Sequence, residues 1–352
     1  MNKILSEARQ RNLVEAVSLW GKVFQGNLRA RADIVEALST SDFQLATGDM
    51  LDRELLTRYQ ALSPVWRSFA KATTVKDFKV KHFIDLMGGI SGLERVPELQ
   101  EYPAERLDRQ TFPISIGKFG RRFEISWEQV VNDDLGEYQS LPDLLAQSAR
   151  NAEDRAAVEV LATKSGPNTA LFKAGNGNAV DNKPLTRANL EAALQKVSQR
   201  KDANGNPIMV TGYVLVIPPG LQLTAEAILS ATEIRDTDAD GTITTRRNTI
   251  GSRVRVVVNP WLPIVDTSSK AAATWYIVPD PAGARPAVAV AHLRGHEQPD
   301  LRLYNVTGQR VGGGAISPLE GSFDIDSIQY RVRLPLGAAA IDPAGTYAST
   351  GS

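Results

Sequence analysis

The chain has 352 residues, 42% of them hydrophobic, and carries 40 Lys plus Arg against 40 Asp plus Glu, so it can bury a real core in one large or two small domains. The charge balance leaves no net field to draw it toward nucleic acid or an anionic membrane, which disfavours a free-standing DNA binder. Cysteine is absent, which excludes disulfides, thiolate nucleophiles and thiolate metal sites and fits maturation in a reducing cytoplasm.

Residues 1 to about 64 have the spacing of two or three amphipathic helices. The first covers Met1 to Phe24, with Leu13, Ala16, Val17, Trp20 and Phe24 on its apolar side; its charges Glu7, Arg9 and Arg11 are wrong for a signal peptide. The last lies near Met50 to Leu62, with Leu51, Leu55, Tyr59 and Leu62 on one face, and stops at Ser63-Pro64. From Val75 the period becomes two and predicts one long strand, with Phe78, Val80, His82, Ile84 and Leu86 on one face and Lys79, Lys81, Phe83 and Asp85 on the other. Past Gly88-Gly89, the mixed-charge stretch Leu93 to Gln110, broken by Pro97 and Pro103, reads as a solvated, partner-seeking loop. Alternation resumes at Phe112, Ile114 and Ile116, changes face around Gly117 to Gly120, and continues at Phe123, Ile125 and Trp127 as a returning strand. Two strands cannot cover each other's apolar faces and their edges stay open, so this hairpin is expected to find its burial on another copy of the chain.

A long helix follows, with Ser140 as its expected cap, Pro142 in its first turn and Asp143 completing a capping box. Its expected buried stripe is Leu141, Leu145, Ala149, Ala152, Ala156 and Val160; Gly166-Pro167 closes it, and at ~1.5 Å per residue it spans roughly 33 Å. After Gly175-Asn176-Gly177-Asn178 comes a helix from Thr186 to about Arg200, on Leu190, Ala193, Leu194 and Val197, and then a turn at Asn204 to Pro207. Strands are expected at Tyr213 to Ile217, Val254 to Val258, Trp275 to Val278, Ala287 to Leu293 and Leu301 to Val306, with a helix at Leu221 to Ala231. In the last long strand, Ile328 to Leu334, Ile328, Tyr330, Val332 and Leu334 face one way and Gln329, Arg331 and Arg333 the other. Helices and strands thus mix as in an α+β or α/β protein. No apolar run, Tyr213 to Pro219 and Leu334 to Ile341 included, approaches the ~20 residues of a membrane helix.

Chemistry is sparse. His82, His292 and His296 are the only histidines, and none has a partner at motif spacing, so packing or surface roles are expected. There is no nucleophile elbow and no P-loop; Gly312-Gly313-Gly314 lacks the Lys a phosphate cradle needs. Asp236-Thr237-Asp238-Ala239-Asp240-Gly241 opens like an EF-hand loop, yet its twelfth position is Arg247, beside Arg246, where a bidentate Glu is required. A solvated hairpin or loop tip is the better reading, and a calcium-dependent binding module the rival. No catalytic residue, cofactor site or metal site is assigned, and an enzyme is the weakest option.

In this order the segments resemble the tailed-phage major capsid family with the Hong Kong 97-like fold, and its Mu-like head-subunit branch in particular. Phe112 to Trp127 (FPISIGKFGRRFEISW), Val130 to Asp134 (VVNDD) and the helix from Ser140 look like that family's hairpin return, its switch back into the body and its spine helix. Tyr213 to Pro219 and Ile328 to Tyr347 also look like capsid sequence, and the likeness covers about residues 40 to 350. It implies an α+β fold with an N-terminal arm (1–65), an extended hairpin loop (66–128), and a peripheral domain with the spine helix (129–183 and 295–335). An axial domain (184–294) and a C-terminal return to it (336–352) complete the expected subunit. It also implies a structural protein that self-assembles as hexamers and pentamers into an icosahedral shell in the host bacterial cytoplasm. The expected partners are a scaffolding protein, a portal, a decoration protein, and packaged DNA through weak, non-specific contact. No Lys occurs between Lys81 and Lys118, so the isopeptide lock of some relatives is not expected; ionic contacts from Arg95, Arg106 and Arg109 would serve instead. The stretch before the hairpin is shorter than a built-in scaffolding domain plus arm, which implies a separate scaffold. An encapsulin-like compartment shell remains the alternative of the same fold.

Overall fold

Short runs of β-branched and aromatic residues bounded by Gly, Pro and Asn become the strands of the fold, and amphipathic stretches become its helices. The computed structural model describes residues 22, 52–85, 96–98, 110–126, 135–201, 207–208, 210–237, 243–304, 311 and 327–351. In chain order these form α1 (52–61), β1 (Lys71–Val75), β2 (Lys81–Asp85), β3 (Gln110–Ile114), β4 (Gly117–Ser126) and α2 (Leu135–Leu161). Next come the two-residue strands β5 (Ala162–Thr163) and β6 (Gly166–Pro167), then α3 (Arg187–Ser198), β7 (Tyr213–Ile217), α4 (Gln222–Ser230), β8 (Glu233–Thr237), β9 (Ile243–Arg247) and β10 (Val254–Val258). The short α5 (Leu262–Val265), β11 (Trp275–Pro279), β12 (Val288–Leu293), β13 (Asp300–Leu303), β14 (Ser327–Ala340) and β15 (Tyr347–Ser349) complete an α+β protein. No helix among the described residues is long and apolar enough to cross a membrane.

The chain divides into two compact units, the first comprising Met1–Ser63, Lys118–Ala152 and Gly295–Pro335, the second Pro64–Gly117, Glu153–Arg294 and Leu336–Ser352. In the second, a four-stranded sheet runs in the order β10-β7-β11-β15. Its β10 and β7 are parallel, with Val254 opposite Tyr213 and Val258 opposite Ile217, and are joined by the crossover that contains α4. Alternate residues of β7 serve two cores. Leu215 and Ile217 meet Leu190, Ala193 and Val197 of α3 and Ala225 of α4. Val214 and Val216 meet Trp66, Phe69, the end of α2 (Ala157, Val158, Leu161) and Leu262 and Val265 of α5. Buried on both sides, the strand reads as the continuous apolar run YVLVI. Also in this unit, β1 lies parallel to β12, and β12 pairs antiparallel with the end of β14, Val288 opposite Ala340.

In the first unit β13 pairs antiparallel with the beginning of β14, Asp300 opposite Arg333, and β4 pairs with β14 as well. The expected inward face of β14 holds: Ile328, Tyr330, Val332 and Leu334 are buried, while Arg331 is exposed. Phe123 of β4 stacks on Tyr330 at 5.2 Å between ring centroids.

Several expectations need correction. The single strand from Val75 to Leu86 is two strands with a bend at 76–79, because Asp77 Oδ1 accepts the Lys79 amide at 3.1 Å in a local turn that competes with the ladder. Leu62 lies past the end of α1 and is exposed, whereas Leu55 and Tyr59 are buried as expected. The long helix begins at Leu135, so Ser140 and Pro142 lie inside it, and its 27 residues span roughly 40 Å. Its buried side is also displaced: Ala149 and Val160 are buried, but Leu141, Leu145, Ala152 and Ala156 are only half-buried, and Pro142, Ala146, Arg150, Glu153, Asp154, Ala157 and Val158 are buried instead. Thr186, expected as the first residue of the helix, is its cap and accepts the Asn189 amide at 3.3 Å. The helix expected at 1–24, apart from Lys22, which is helical and exposed, the charged stretch 99–109 with Arg106 and Arg109, Arg95, Trp127, 130–134, the turn at 204–206 and Gly312 to Gly314 lie outside the described residues.

Candidate assembly surface

The returning hairpin is present. β2 and β3 pair antiparallel, Lys81 opposite Ile114 and Asp85 opposite Gln110, and among the described residues form a sheet of two strands. Its root is anchored in its own unit: Ile114 and Ile116 are buried with Val75 of β1, Ala289 and Ala291 of β12, and Ala339. At this root the hairpin finds its burial within its own chain, which corrects there the expectation that it finds its burial on another copy.

Just outside the root the surface turns apolar. Phe78 is 46% exposed and Val80 56% exposed, on the bend that the Asp77 turn creates. Lys81 Nζ meets Asp77 Oδ2 at 3.2 Å, and this hydrogen bond, with the Lys79 amide and the two lysine charges and against the opposing effect of burial, holds the Asp77 carboxyl below the usual carboxylate range. The bend thus presents two apolar side chains beside an exposed ion pair. In the first unit Phe119, Leu144 and Tyr304 are exposed as well. Sequence reasoning missed Phe119, although the face change around Gly117 to Gly120 marks its place.

The same glycines set a close approach. A Cβ on Gly120 would stand 2.5 Å from the Val332 carbonyl oxygen of β14, and one on Gly337 would collide with the Ser115 carbonyl oxygen. Backbones that touch leave no room for a side chain.

His82 and His296 are exposed. His292 is buried, and its Nε2 lies 3.1 Å from Glu153 Oε1, a partner that sequence spacing gave no means of finding. The indole Nε1 of Trp66 donates to Glu153 Oε2 at 2.9 Å and the Trp66 amide donates to Asp154 Oδ1 at 2.6 Å. Both oxygens of the fully buried Glu153 are therefore engaged by protein groups, and the cluster ties the Val65–Ser68 turn and β12 to the end of α2.

Asp236 and Thr237 lie in β8, which pairs with β9 as a hairpin, Asp236 opposite Thr244 and Glu233 opposite Arg247. Extended backbone there is the hairpin reading and not the tight turn of an EF-hand; Asp238 to Asp240 lie outside the described residues. Among the described residues no group of three His, Asp or Glu is placed to hold a metal ion.

Residues 109–349 match the family described as phage capsid protein. No curated protein matches the sequence. Among solved structures, the capsid of the cyanophage P-SCSP1u is 13% identical, with a TM-score of 0.47 over 82% of this chain and 88% of that one. The Gordonia phage Cozz structure is 15% identical, with a TM-score of 0.46 over 80% and 84%. The holo-SrpI encapsulin complex of Synechococcus elongatus PCC 7942 is 10% identical, with a TM-score of 0.47 over 82% and 87%.

Proposed function

The chain belongs to the phage capsid protein family, and from that premise we propose that it is the major head subunit of a tailed phage or prophage, with a Hong Kong 97-like arrangement. In this reading copies close on one another as hexamers and pentamers into an icosahedral shell around DNA. The observation that carries it is the hairpin of β2 and β3: rooted in its own unit, paired with no third strand among the described residues, and bordered by exposed Phe78 and Val80. Open strand edges and uncovered apolar side chains favour burial on a neighbour, and many weak contacts around closed symmetry make a shell hard to dissociate.

The subunit works by surface and not by catalysis. Residues 1–65 serve as the arm, 66–128 as the extended loop, 129–183 with 295–335 as the peripheral domain, and 184–294 with 336–352 as the axial domain. Assembly takes place in the host cytoplasm with a separate scaffolding protein and a portal, and a decoration protein completes the non-covalent shell of the virion. With equal numbers of acidic and basic residues, contact with packaged DNA is weak and indifferent to sequence.

Negative-stain microscopy of the protein expressed alone and with its neighbouring genes tests the reading. Closed shells are expected, and a monomer under every condition overturns it. Shells filled with a protein cargo and no DNA would transfer the subunit to the encapsulin-like alternative.

A further inference from the structure

We infer that the outer face of the sheet made by β13, β14 and β4 in the first unit binds the phosphodiester backbone of nucleic acid, through a row of arginines that the charge balance of the whole chain hides. The inference rests on the shell reading above and assigns the enclosed DNA a face of the subunit.

The row follows from strand register. Arg302 of β13 stands directly opposite Arg331 of β14, and Asp300 opposite Arg333. All four point away from the side that holds buried Val332, because successive side chains of a strand alternate between faces. On the other flank of β14 lies β4. A Cβ added to Gly120 would stand 3.3 Å from Arg333 Cβ, and Phe123 stacks on Tyr330, so Arg122 falls beside Arg331 and on the same face. Arginines of three adjacent strands thus line up across the sheet at a spacing of about 4.8 Å, with Arg333 one step along β14. Tyr304, just past the end of β13 and held by its amide to the Gln329 carbonyl at 2.8 Å, continues that face and is 60% exposed.

Acids do not balance this row. Among the described residues Asp300 and Glu124 are the carboxylates on the face. Asp300 Oδ2 is shared by Arg302 and Arg333, each Nε at 2.9 Å, and Glu124 Oε1 lies 3.2 Å from Arg122 Nη2. Asp52 stands at the edge of β13, where its Oδ1 accepts the Leu301 amide at 3.3 Å. Arg331, in the middle of the row, is exposed, and among the described residues no carboxylate pairs with it. Like charges set directly opposite on a sheet repel, so an anion that spans the strands stabilises the arrangement. Guanidinium groups grip phosphate oxygens two at a time, a backbone of phosphates supplies charge after charge along the row, and an exposed aromatic ring is a surface against which nucleotides lie. A second copy offers less: the chain is neutral in total, and its stretch from Leu93 to Gln110 interleaves its acids with Arg95, Arg106 and Arg109.

Fluorescence anisotropy of the full chain, kept below its assembly threshold, with a labelled DNA duplex of mixed sequence tests the face. Binding is expected at about 50 mM salt, with log affinity falling against log salt at a slope of about −2 to −4, since each neutralised phosphate contributes roughly 0.9. Arg302→Ala with Arg331→Ala should weaken binding roughly tenfold and flatten the slope by about 2. Arg53→Ala with Arg155→Ala removes the same charge from exposed positions elsewhere and should change neither. No binding at low salt, or equal losses in the two double variants, overturns the inference. Binding of a poly-glutamate peptide as tight as that of the duplex at the same ionic strength overturns it too, in favour of an acidic protein segment. Arg331→Ala alone should melt at or above the wild-type temperature in low salt, because it relieves repulsion; a lower melting temperature would assign Arg331 to the packing of its own unit and also overturn the inference. Particle formation is read separately. Shells from a chain that binds no duplex remove this face and leave the shell reading standing, whereas duplex binding by a chain that never forms particles does the reverse.

Discussion

Arg150 lays its guanidinium carbon 3.5 Å from the ring centroid of Tyr59 and donates from Nε and Nη2 to the Tyr59 carbonyl at 3.1 and 2.6 Å. A cation–π contact and two charge-assisted hydrogen bonds therefore converge from α2 on one residue of α1, out of water. Arg150→Ala should cost about 2–4 kcal/mol, since it strips a buried carbonyl of its donors as well as the ring contact. Limited proteolysis should detect earlier cleavage in 52–61, and an unchanged cleavage pattern would show that α1 is held by something else.

Glu153 is satisfied by Trp66 and His292. Glu153→Ala leaves the indole N–H and an imidazole nitrogen buried without their acceptor, an expected loss of about 2–4 kcal/mol. Glu153→Gln keeps one oxygen and should cost less. Thermal melts of the two variants check the order, and equal melting temperatures would argue against the hydrogen bonds as the cause.

The segment around Tyr347 responds to acid through Asp181. Burial pushes the Asp181 carboxyl up, but hydrogen bonds from Lys196 and the Tyr347 hydroxyl, with the nearby lysine charges, outweigh it and leave the group below its ordinary value. A carboxyl depressed in the folded state contributes stability that is complete above the unfolded value and is lost as pH falls through the folded one. Asp181→Asn should therefore lower the melting temperature at about pH 7 and make little difference at about pH 2. A difference of the same size at both would exclude the ionised carboxylate as the source.

Gly120→Ala pushes a methyl group against the Val332 carbonyl, a backbone atom that can yield only if β4 and β14 separate. The expected cost is about 1–3 kcal/mol from overpacking, read by chemical denaturation. Gly212, where an added Cβ meets nothing closer than 3.8 Å, is the control, and its Ala variant should lie within about 0.5 kcal/mol of wild type. Equal losses at the two positions would mean that contact is not the cause.

Phe78→Ser with Val80→Ser removes exposed apolar surface, so the monomer should melt within a degree or two of wild type while its assembly threshold rises. Loss of monomer stability would place these side chains in the chain's own core.

Much of this architecture could be read from the residues. β7 and β10 coincide with the expected Tyr213 to Ile217 and Val254 to Val258, because an apolar run closed by Pro218 or by Asn259-Pro260 leaves little choice of length. The hairpin pairing was legible for the same reason, a period of two interrupted by glycines. Its bend was not, because the Asp77 turn depends on one side chain capturing an amide two residues on, against a pattern that otherwise reads as strand. The start of α2 was misplaced because Ser140 and Pro142 are the residue types of a first turn, while Asp134 ahead of Leu135 offers a competing cap signal. The buried charges of α2 escaped altogether. Arg150, Glu153 and Asp154 look like a solvated face, and only the chain's return brings Tyr59, Trp66 and His292 against them. Exposure of Leu223 and Ile264 was equally hidden, since an apolar residue on an amphipathic helix reads as core until its neighbours are known.

The place of β15 bears on the life of the subunit before it meets any other. Ile277 finds its hydrogen-bonding neighbour in Tyr347, and Asp181 bridges to Ser349, so a nascent chain still held by the ribosome at that stretch lacks an edge of its four-stranded sheet. Closure of that sheet therefore waits for Tyr347 to Ser349 to emerge, so the last strand to be made is also the one that completes its edge.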